Sequence, residues 1–498
     1  MVWIQDRSNP MSPSRPMLAV VAASIATFTA CAWFEPAALP PPEPEAAPDA
    51  PPPASTNSPD VVLITLDTTR ADHLKRYGYF RDTMPGLEAL ADGALVFDRL
   101  IVPMATTLPS HTSLLTGVWP HEHGVLGNVE HGGERFIPSD HLQSLVSILA
   151  AHGYQTAAFT SAAPLNTDSG IQRGFQTFNA APKAERSGDQ TTDAALRWVA
   201  DAPRTPMLLW VHYYDPHNPW TAPARFREGF DQDGGAIRDW MESHQVARVT
   251  HRPTGEQVNA RGAMDAYDAE LRFMDNQLTR LFDGLAARGR LDKTLIVLVG
   301  DHGEGLNQHN EPGHGLVWEE QLHSPLLVIA PGAAARRVPG VLSMPDVFPT
   351  ALGLVDLPGE AEFLAQASGK DVLAADYTPR GVLSQTSIRQ LKFGVPQTYT
   401  LTSDTFKCEW AADGTTSLWD HASDPYELAP VTDAARLDPC VSEGKALVDA
   451  QIAHGKELGG HREKLSDAEI ERLRQLGYVE EAPPPTKDAP KPPPADQE

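Results

Sequence analysis

The chain has 498 residues, is 41% hydrophobic and carries a formal net charge of −25. A chain of this length and apolar content can bury a large core, which excludes an intrinsically disordered protein and predicts two domains. Its acidic surface would repel nucleic-acid phosphates, so we expect no nucleic-acid partner, whereas a small anionic ligand can still bind where the local field is positive.

The N-terminal residues have the pattern of an export signal. Arg7 and Arg15 precede an apolar run at residues 17–30, which is short for a bilayer span, and Cys31 follows it directly. The small residues before Cys31 resemble a bacterial lipoprotein cleavage site, and an ordinary signal peptide or an uncleaved anchor is the alternative. We predict a signal peptide with a lipobox at residues 1–31, a membrane tether through lipidated Cys31, and an exported periplasmic or cell-envelope lipoprotein.

A linker and then a strand follow this signal. Residues 32–59 are dominated by Pro, Ala and Glu, which predicts an extended linker. The run VVLITL from Val61 is continuous, apolar and β-branched, as is typical of a strand buried on both faces of a mostly parallel sheet. Asp67 comes directly after this strand. Ligands bind at the carboxyl ends of strands in open α/β sheets, so Asp67 is a candidate ligand residue.

The segment TLPSHTSLLTG, from Thr107 to Gly117, predicts a short helix with a hydroxyl at its start. Pro109 favours a first helical turn, residues 110–116 continue it, and Gly117 favours the left-handed position that closes it. Anions bind at helix starts because the backbone N–H groups there lack partners, so Thr107 can attack or hold a phosphate or sulfate group. A threonine that only caps a buried helix is the alternative.

Helices and strands alternate through the middle of the chain. Helices are predicted at residues 142–153, 191–202 and 264–289, and strands at residues 155–160 and 206–212. A second apolar strand, Thr294–Gly300, runs into Asp301 and His302. This alternation predicts an α/β domain with a large, mostly parallel sheet flanked by helices. If the strands at Val61 and Thr294 are neighbours, Asp67, Asp301 and His302 converge as a divalent-metal site, although each aspartate taken singly is more often a helix cap.

The last part of the chain predicts a small C-terminal α+β domain at residues 376–480. Its short strands are predicted at residues 382–387, 399–403, 406–410 and 416–419. Asp413-Gly414 is a hairpin signal, and Ser466 opens a capping-box pattern for a final helix that ends near residue 476. Cys408 and Cys440 pair or stay free in an exported chain. Residues 481–498 are predicted to be a disordered tail.

Five motifs, in this order, resemble those of the sulfatase family within the alkaline phosphatase superfamily. They are LDTTRADHLKRYGY, TLPSHTSLLTG followed by WPHEHGV, HYYDPHNPW, LVGDHGEGLNQH and GHGLVWEEQLHSPLLV. The resemblance covers roughly residues 60–480. It implies an alkaline phosphatase-like fold, with a catalytic domain at residues 60–375 before the small C-terminal domain.

The resemblance also implies a site. The predicted metal ligands are Asp67, Thr107, Asp301 and His302. The predicted catalytic residues are Thr107, His111, His217, His314 and His121. His217 and His314 fall where the family places groups that contact the ester, and His123 is a further candidate beside His121. An imidazole ligand makes Mn or Zn as reasonable as Ca, which prefers an all-oxygen shell.

Three positions depart from the usual sulfatase pattern. Sulfatases carry Cys or Ser at the nucleophile position, which is oxidised to formylglycine, and an Arg four residues later, whereas this chain has Thr107 and His111. Threonine cannot give the aldehyde hydrate, but it is the direct nucleophile in related phosphodiesterases. His314 stands where a lysine is frequent, and a histidine can donate a proton to a leaving oxygen near neutral pH.

We therefore predict a sulfatase-like, metal-dependent hydrolase of small anionic esters. The overall resemblance favours a sulfuric ester, whereas the chemistry of Thr107 favours a phosphate or phosphonate ester. One alternative is a phosphodiesterase, a phosphonate-ester hydrolase or a phospho-group transferase with a direct threonine nucleophile. The other alternative is a catalytically inactive, anion-binding lipoprotein.

Overall fold

The computed structural model describes residue 55 and residues 58–129, 133–181, 185–202, 204–230, 233–251, 255–387, 391 and 394–475. These residues belong to one compact unit. The predicted signal peptide, lipidated Cys31 and C-terminal tail lie outside the described residues, so they stay predictions. None of the helices within the described ranges is long and apolar enough to cross a membrane.

The described strands are numbered in chain order. They are β1 (Asp60–Leu66), β2 (Leu95–Ile101), β3 (Glu134–Pro138), β4 (Gln155–Phe159), β5 (Thr177–Asn179), β6 (Met207–Tyr213), β7 (Val249–His251), β8 (Gln257–Asn259), β9 (Thr294–Gly300), β10 (His323–Ile329), β11 (Arg336–Leu342), β12 (Val382–Gln385), β13 (Thr398–Thr402), β14 (Phe406–Ala411), β15 (Thr416–Asp420) and β16 (Gly460–Lys464).

The described α-helices are numbered in the same way. They are α1 (Pro85–Ala91), α2 (Thr107–Thr116), α3 (Pro120–His123), α4 (Leu145–Ala151), α5 (Gly188–Asp201), α6 (Ala236–Ser243), α7 (Ala260–Ala287), α8 (Glu319–Leu322), α9 (Met344–Leu352), α10 (Glu360–Gln366), α11 (Ala434–Leu458) and α12 (Asp467–Gln475).

The large sheet has the strand order β11-β2-β10-β9-β1-β6-β4-β5. Strands β9, β1, β6, β4 and β5 run parallel to one another, and β10 runs antiparallel to both β9 and β2. The mostly parallel sheet is thus confirmed. Strand β1 lies between β6 and β9, with Leu66 opposite Gly300 and Thr65 opposite His212, so three strands end at the same edge.

The sheet is buried on both faces, as the apolar strands predict. Val61 and Leu63 of β1 belong to one core, which also contains Trp210. Val62 and Ile64, the alternate residues of the same strand, belong to the core on the opposite face. Because successive side chains of a strand point to opposite faces, both cores hold β1 rigidly and fix the position of the residues at its carboxyl end.

Helix α2 forms where the sequence predicts a short helix, but it starts earlier. Thr107 is already in its first turn, and Thr106 occupies the capping position. The helix ends at Gly117, whose φ of 72° is the left-handed conformation that glycine adopts without steric cost. All ten residues of α2 are buried, so its polar side chains face protein groups rather than solvent.

The C-terminal part contains an antiparallel sheet in the order β12-β13-β14-β15. Helix α11, which the sequence analysis missed, packs against β13 and β14. A disulfide joins Cys408 of β14 to Cys440 of α11. Strand β16 then pairs with β3. The small C-terminal α+β part is confirmed, and its predicted boundary between residues 375 and 376 stays a prediction.

The disulfide gives a testable prediction about stability. We expect the double variant Cys408→Ala/Cys440→Ala to lower the free energy of unfolding by about 2–4 kcal/mol, because the cross-link restricts the unfolded chain. Denaturant unfolding of protein purified from an oxidising compartment measures this difference, and wild type unfolded under reducing conditions is the control. Free thiols at both positions in the non-reduced protein would contradict the assignment.

Candidate active site

Two buried aspartates follow the central strands. The backbone N–H of Asp67 donates to the carbonyl of Tyr213 (2.8 Å), and that of Asp301 donates to the carbonyl of Leu66 (3.1 Å). Both side chains are buried, with 0% and 1% exposure. Oδ1 and Oδ2 of Asp67 and Oδ2 of Asp301 have no hydrogen-bond partner in the described part of the chain. Buried carboxylate oxygens without partners are costly, so this pair needs protons or a cation.

The electrostatics of the two carboxyl groups lead to the same conclusion. Burial raises the pKa of Asp67 well above its ordinary value, and the nearby charges of Glu185 and Glu304 raise it further. Burial also raises the pKa of Asp301 well above its ordinary value, and the next contribution is the charge of Asp67. A divalent cation between the two groups would reverse both effects.

His302 provides a nitrogen acceptor at the same place. Its Nδ1 lies 2.9 Å from the carbonyl oxygen of Gly303, which can only accept, so Nδ1 carries the hydrogen and Nε2 carries the lone pair. This Nε2 is buried and has no hydrogen-bond partner among the described residues. Ligand atoms of Asp67, Asp301 and His302 lie within 4.8 Å of one another. Carboxylate oxygens and an imidazole lone pair without donors are a chemically suitable set for a divalent metal ion.

Thr68 connects these groups through a strained backbone. Its φ is 47°, a left-handed conformation that is uncommon for a threonine. In this conformation its N–H donates to Oδ1 of Asp301 (3.1 Å), while its carbonyl accepts from the Tyr267 hydroxyl (2.7 Å). The Thr68 hydroxyl is buried without a hydrogen-bond partner in the described ranges. The strain at Thr68 therefore accompanies a fixed orientation of the Asp301 carboxylate.

The first turn of α2 contacts the same aspartate. The Ser110 hydroxyl donates to the main-chain carbonyl of Asp301 (2.7 Å), and Nδ1 of His111 lies 3.7 Å from Oδ2 of Asp301. Thr107 is 1% exposed, and its Oγ1 has no hydrogen-bond partner within the described structure. The structure thus brings the start of α2, with its unpaired hydroxyl and its positive dipole end, to the edge where β1 and β9 end.

His212 belongs to this cluster, although the sequence analysis gave it no role. His212 is the last residue of the strand predicted at 206–212, whereas β6 continues to Tyr213 and pairs His212 with Thr65. Its Nε2 is 3.3 Å from Oδ2 of Asp67, and its Nδ1 is 3.1 Å from Oγ of Ser161. Burial lowers the pKa of His212 to about 3, so it is neutral at pH 7. Only the strand order β9-β1-β6 places His212 beside Asp67, and the sequence pattern does not contain this order.

His217 and His314 lie together beside the cluster. Their ring centroids are 5.3 Å apart, and the ring of His314 is 4.5 Å from that of His302. Nδ1 of His314 is 3.4 Å from Oε2 of Glu304. Burial lowers the pKa of His217 to about 3, and the neighbouring His314 lowers it further. A cavity of about 950 Å³ adjoins His217 and is also lined by Tyr214 and Arg186.

A family model for sulfatases matches residues 59–357 of the chain. The chain belongs to the sulfatase family. It is therefore a sulfuric or phosphoric ester hydrolase, and enzymes of this family use a divalent metal ion. The resemblance drawn from the five motifs is confirmed. The metal ligands and catalytic residues assigned to individual positions stay predictions.

Relatives of this sulfatase-family chain are distant in sequence. The Delta 4,5-hexuronate-2-O-sulfatase of Bacteroides thetaiotaomicron is 21% identical over 452 residues, which cover 80% of this chain and 90% of that protein. The structure of the sulfatase-family protein yidJ from Bacteroides fragilis is similar with a TM-score of 0.67 at 17% identity, covering 81% of this chain and 97% of that one. The phosphonate monoester hydrolase of Agrobacterium radiobacter is similar with a TM-score of 0.59 at 20% identity, covering 81% and 96%. These structural likenesses confirm the fold.

His121 lies apart from the site of this sulfatase-family chain. Its ring centroid is 6.0 Å from that of Tyr399 in β13, and the two residues line a small gap together with Gln385. His123 contacts the Ser113 hydroxyl through Nε2 (2.9 Å) and so connects α3 to α2. The contacts found in the described ranges do not join His121 to Asp67 or Asp301.

The raised pKa values of the aspartates give a prediction about pH. In the unfolded chain an aspartate titrates near about 3.9. The pKa values of Asp67 and Asp301 are higher in the metal-free folded protein, so their contribution to stability is present below pH 4 and is lost as pH rises through the raised values. We expect the free energy of unfolding of chelator-treated Asp301→Asn to fall less with rising pH than that of wild type.

Denaturant unfolding between pH 4 and neutrality measures this effect, and added Mn²⁺ or Zn²⁺ should stabilise wild type most at the higher pH. The control is Asp292→Asn, which changes an exposed aspartate and should keep the wild-type slope. Equal slopes for Asp301→Asn and wild type would contradict the predicted repulsion.

Proposed function

We propose that this enzyme is a metal-dependent ester hydrolase in which the Thr107 hydroxyl is the direct nucleophile. The observation that carries the proposal is the Thr107 hydroxyl itself, which is buried without a hydrogen-bond partner in the described part of the chain. Buried hydroxyls normally have a partner, so this one is available to a bound ligand. The Ser110 hydroxyl, in the same helix turn, donates to the main-chain carbonyl of Asp301 at the sheet edge where the carboxylate and imidazole acceptors lie.

The acceptor atoms of Asp67, Asp301 and His302 are the proposed ligands of a divalent ion. The Thr107 hydroxyl is proposed to reach the same ion, because it lies in the helix turn that Ser110 joins to Asp301. When bound, such an ion would neutralise charge on an anionic ester and lower the pKa of the Thr107 hydroxyl. The protein's own contribution is orientation. Thr68 and the backbone of His302 hold Oδ1 of Asp301, so Oδ2 is the oxygen left for the ligand site.

The chemistry of threonine favours a phosphate or phosphonate ester within this class. Attack by Oγ1 of Thr107 on phosphorus forms a phospho-threonine bond and releases the alcohol, and water then attacks phosphorus and restores the hydroxyl. A sulfated threonine would require the corresponding attack of water at sulfur, because threonine cannot expel sulfate by the formylglycine route. The fold likeness to a phosphonate monoester hydrolase supports the same preference.

His314 is the proposed proton donor to the leaving alcohol. Glu304 lies 3.4 Å from its Nδ1 and orients the ring beside His302. His217 is half-buried, and desolvation lowers its pKa to about 3, so it is a neutral contact for the ester rather than a fixed charge. The adjoining cavity of about 950 Å³ has room for a sizeable alcohol portion of the substrate.

Export is part of the proposal. Disulfides persist in oxidising compartments and are rare in the cytosol, so the Cys408–Cys440 bond supports a periplasmic or cell-envelope enzyme. Lipidation of Cys31 would tether that enzyme to a membrane, and the linker at residues 32–59 would separate it from the surface.

Variants at Thr107 test the nucleophile. We expect Thr107→Ala to lower kcat by about a thousand-fold or more, since it removes the group that forms the covalent bond. Thr107→Ser should keep part of the activity because it keeps the hydroxyl. Rates are measured with an aryl sulfate, an aryl phosphate monoester, an aryl phosphodiester and an aryl phosphonate, each with Mn²⁺, Zn²⁺ or Ca²⁺ supplied.

Thr112→Ala is the matched control, because it removes a threonine hydroxyl of the same helix that donates to the carbonyl of Leu108 instead. Full activity of Thr107→Ala would reduce Thr107 to a structural residue. If all four esters are inert with wild type, the protein is an anion-binding member of the family without turnover.

A series of leaving groups tests His314. If His314 protonates the leaving oxygen, His314→Gln should lower kcat by about 10²–10⁴-fold for esters of weakly acidic alcohols and much less for nitrophenyl esters, which leave without a proton. His217→Gln is the comparison, and its loss should not depend on the leaving group. An equal loss for His314→Gln across the whole series would show that His314 does not act as the proton donor.

A further inference from the structure

Two histidines beyond the predicted ligands, His111 and His212, lie in the acidic cluster, and each carries its ring lone pair on Nε2. Nδ1 of His111 lies 2.8 Å from the main-chain carbonyl of Thr107. A carbonyl oxygen only accepts, so this nitrogen carries the hydrogen and Nε2 carries the lone pair. The Ser161 hydroxyl donates its single hydrogen to the carbonyl of His212, so Nδ1 of His212 must donate to Ser161. The lone pair of His212 is therefore also on Nε2.

These lone pairs have no hydrogen-bond donor in the described structure. Nε2 of His111 and Nε2 of His212 are both buried without a hydrogen-bond partner there. Nε2 of His212 stands 3.3 Å from Oδ2 of Asp67, so the lone pair and the carboxylate oxygen repel each other unless cations bind beside them.

The candidate ligand atoms come from three histidines and two aspartates, which is more than one four-coordinate ion can bind. Ligand atoms of His111, His212 and Asp301 lie within 4.8 Å of one another, as do those of Asp67, Asp301 and His302. The two triads share Asp301. A single ion bound by Asp67, Asp301 and His302 would leave Nε2 of His111 and Nε2 of His212 buried and unpaired.

We propose that His111, His212 and a carboxylate oxygen of Asp301 bind a second divalent cation beside the first. The inference rests on the metal site of the proposed function, because Asp301 is shared. Two imidazole ligands favour Zn²⁺ or Mn²⁺ over Ca²⁺. His111 stands where the usual sulfatases carry an arginine, so the second ion supplies the positive charge that this arginine would otherwise bring.

Metal stoichiometry tests the proposal. The full chain is loaded with Zn²⁺, desalted and analysed for zinc per chain. We expect about two ions in wild type and about one in His212→Ala and in His111→Ala. His217→Ala removes a neighbouring histidine outside the two triads and should keep two ions. One ion in wild type, or two ions in His212→Ala, would overturn the proposal.

A milder variant keeps the test valid if the ligand variants do not fold. Ser161→Ala removes the acceptor for Nδ1 of His212 and the donor to the His212 carbonyl but no proposed ligand atom, and such outer-shell changes cost about 10–100-fold in metal affinity. Titration against a competing chelator should show one weakened ion and one unchanged ion, while Ser113→Ala, whose hydroxyl contacts His123, should change neither. Two unchanged affinities in Ser161→Ala would contradict the proposal.

Stoichiometry and activity separate the two proposals. Two bound ions without turnover of any ester would leave the second site standing and overturn the proposed hydrolysis. One bound ion with turnover would overturn the second site and leave the hydrolysis standing.

Discussion

The structure depends on the burial of two carboxylates at the ends of adjacent parallel strands. Asp67 and Asp301 are held by the register of β1 and β9, and neither can turn to solvent because apolar cores cover both faces of the sheet. Three of their four oxygens lack a hydrogen-bond partner in the described chain. Such an arrangement is unfavourable for folding alone and is typical of a ligand-binding site.

The elements around Asp67 and Asp301 fix the orientation of the acceptor atoms. Helix α2 contacts Asp301 through Ser110 and His111, and the left-handed backbone of Thr68 orients the same carboxylate. The hydrogen bonds of His111, His212 and His302 all engage Nδ1, so each ring presents Nε2 as an acceptor. The result is a buried region with many acceptors and few donors. Water satisfies such a region poorly, whereas cations satisfy it well.

The sequence predicts the parts of this site that follow a strand or start a helix. Asp67, Asp301 and His302 come directly after continuous apolar runs, and Thr107 opens a segment with its own helix start and stop residues. The local pattern therefore sufficed to predict where these residues lie in the fold. His212 was missed because it lies inside the apolar run of β6, and its role depends on β6 lying beside β1. His121 follows Thr107 closely in sequence, but α3 turns its ring toward Tyr399. Strand order and helix direction are tertiary facts that local pattern does not contain.

Burial also limits what His111 can do. An arginine there would bring a permanent charge next to Asp301, whereas burial keeps His111 neutral, since protonation would add an unsolvated charge. His111 therefore contributes a lone pair rather than a charge. Arg186 contacts neutral acceptors, Thr160, Asn179 and Thr191, and its charge lowers the pKa of His212. The fixed positive charge of Arg186 thus lies outside helix α2, and the charge of Asp67 and Asp301 has to be compensated by protons or by bound cations.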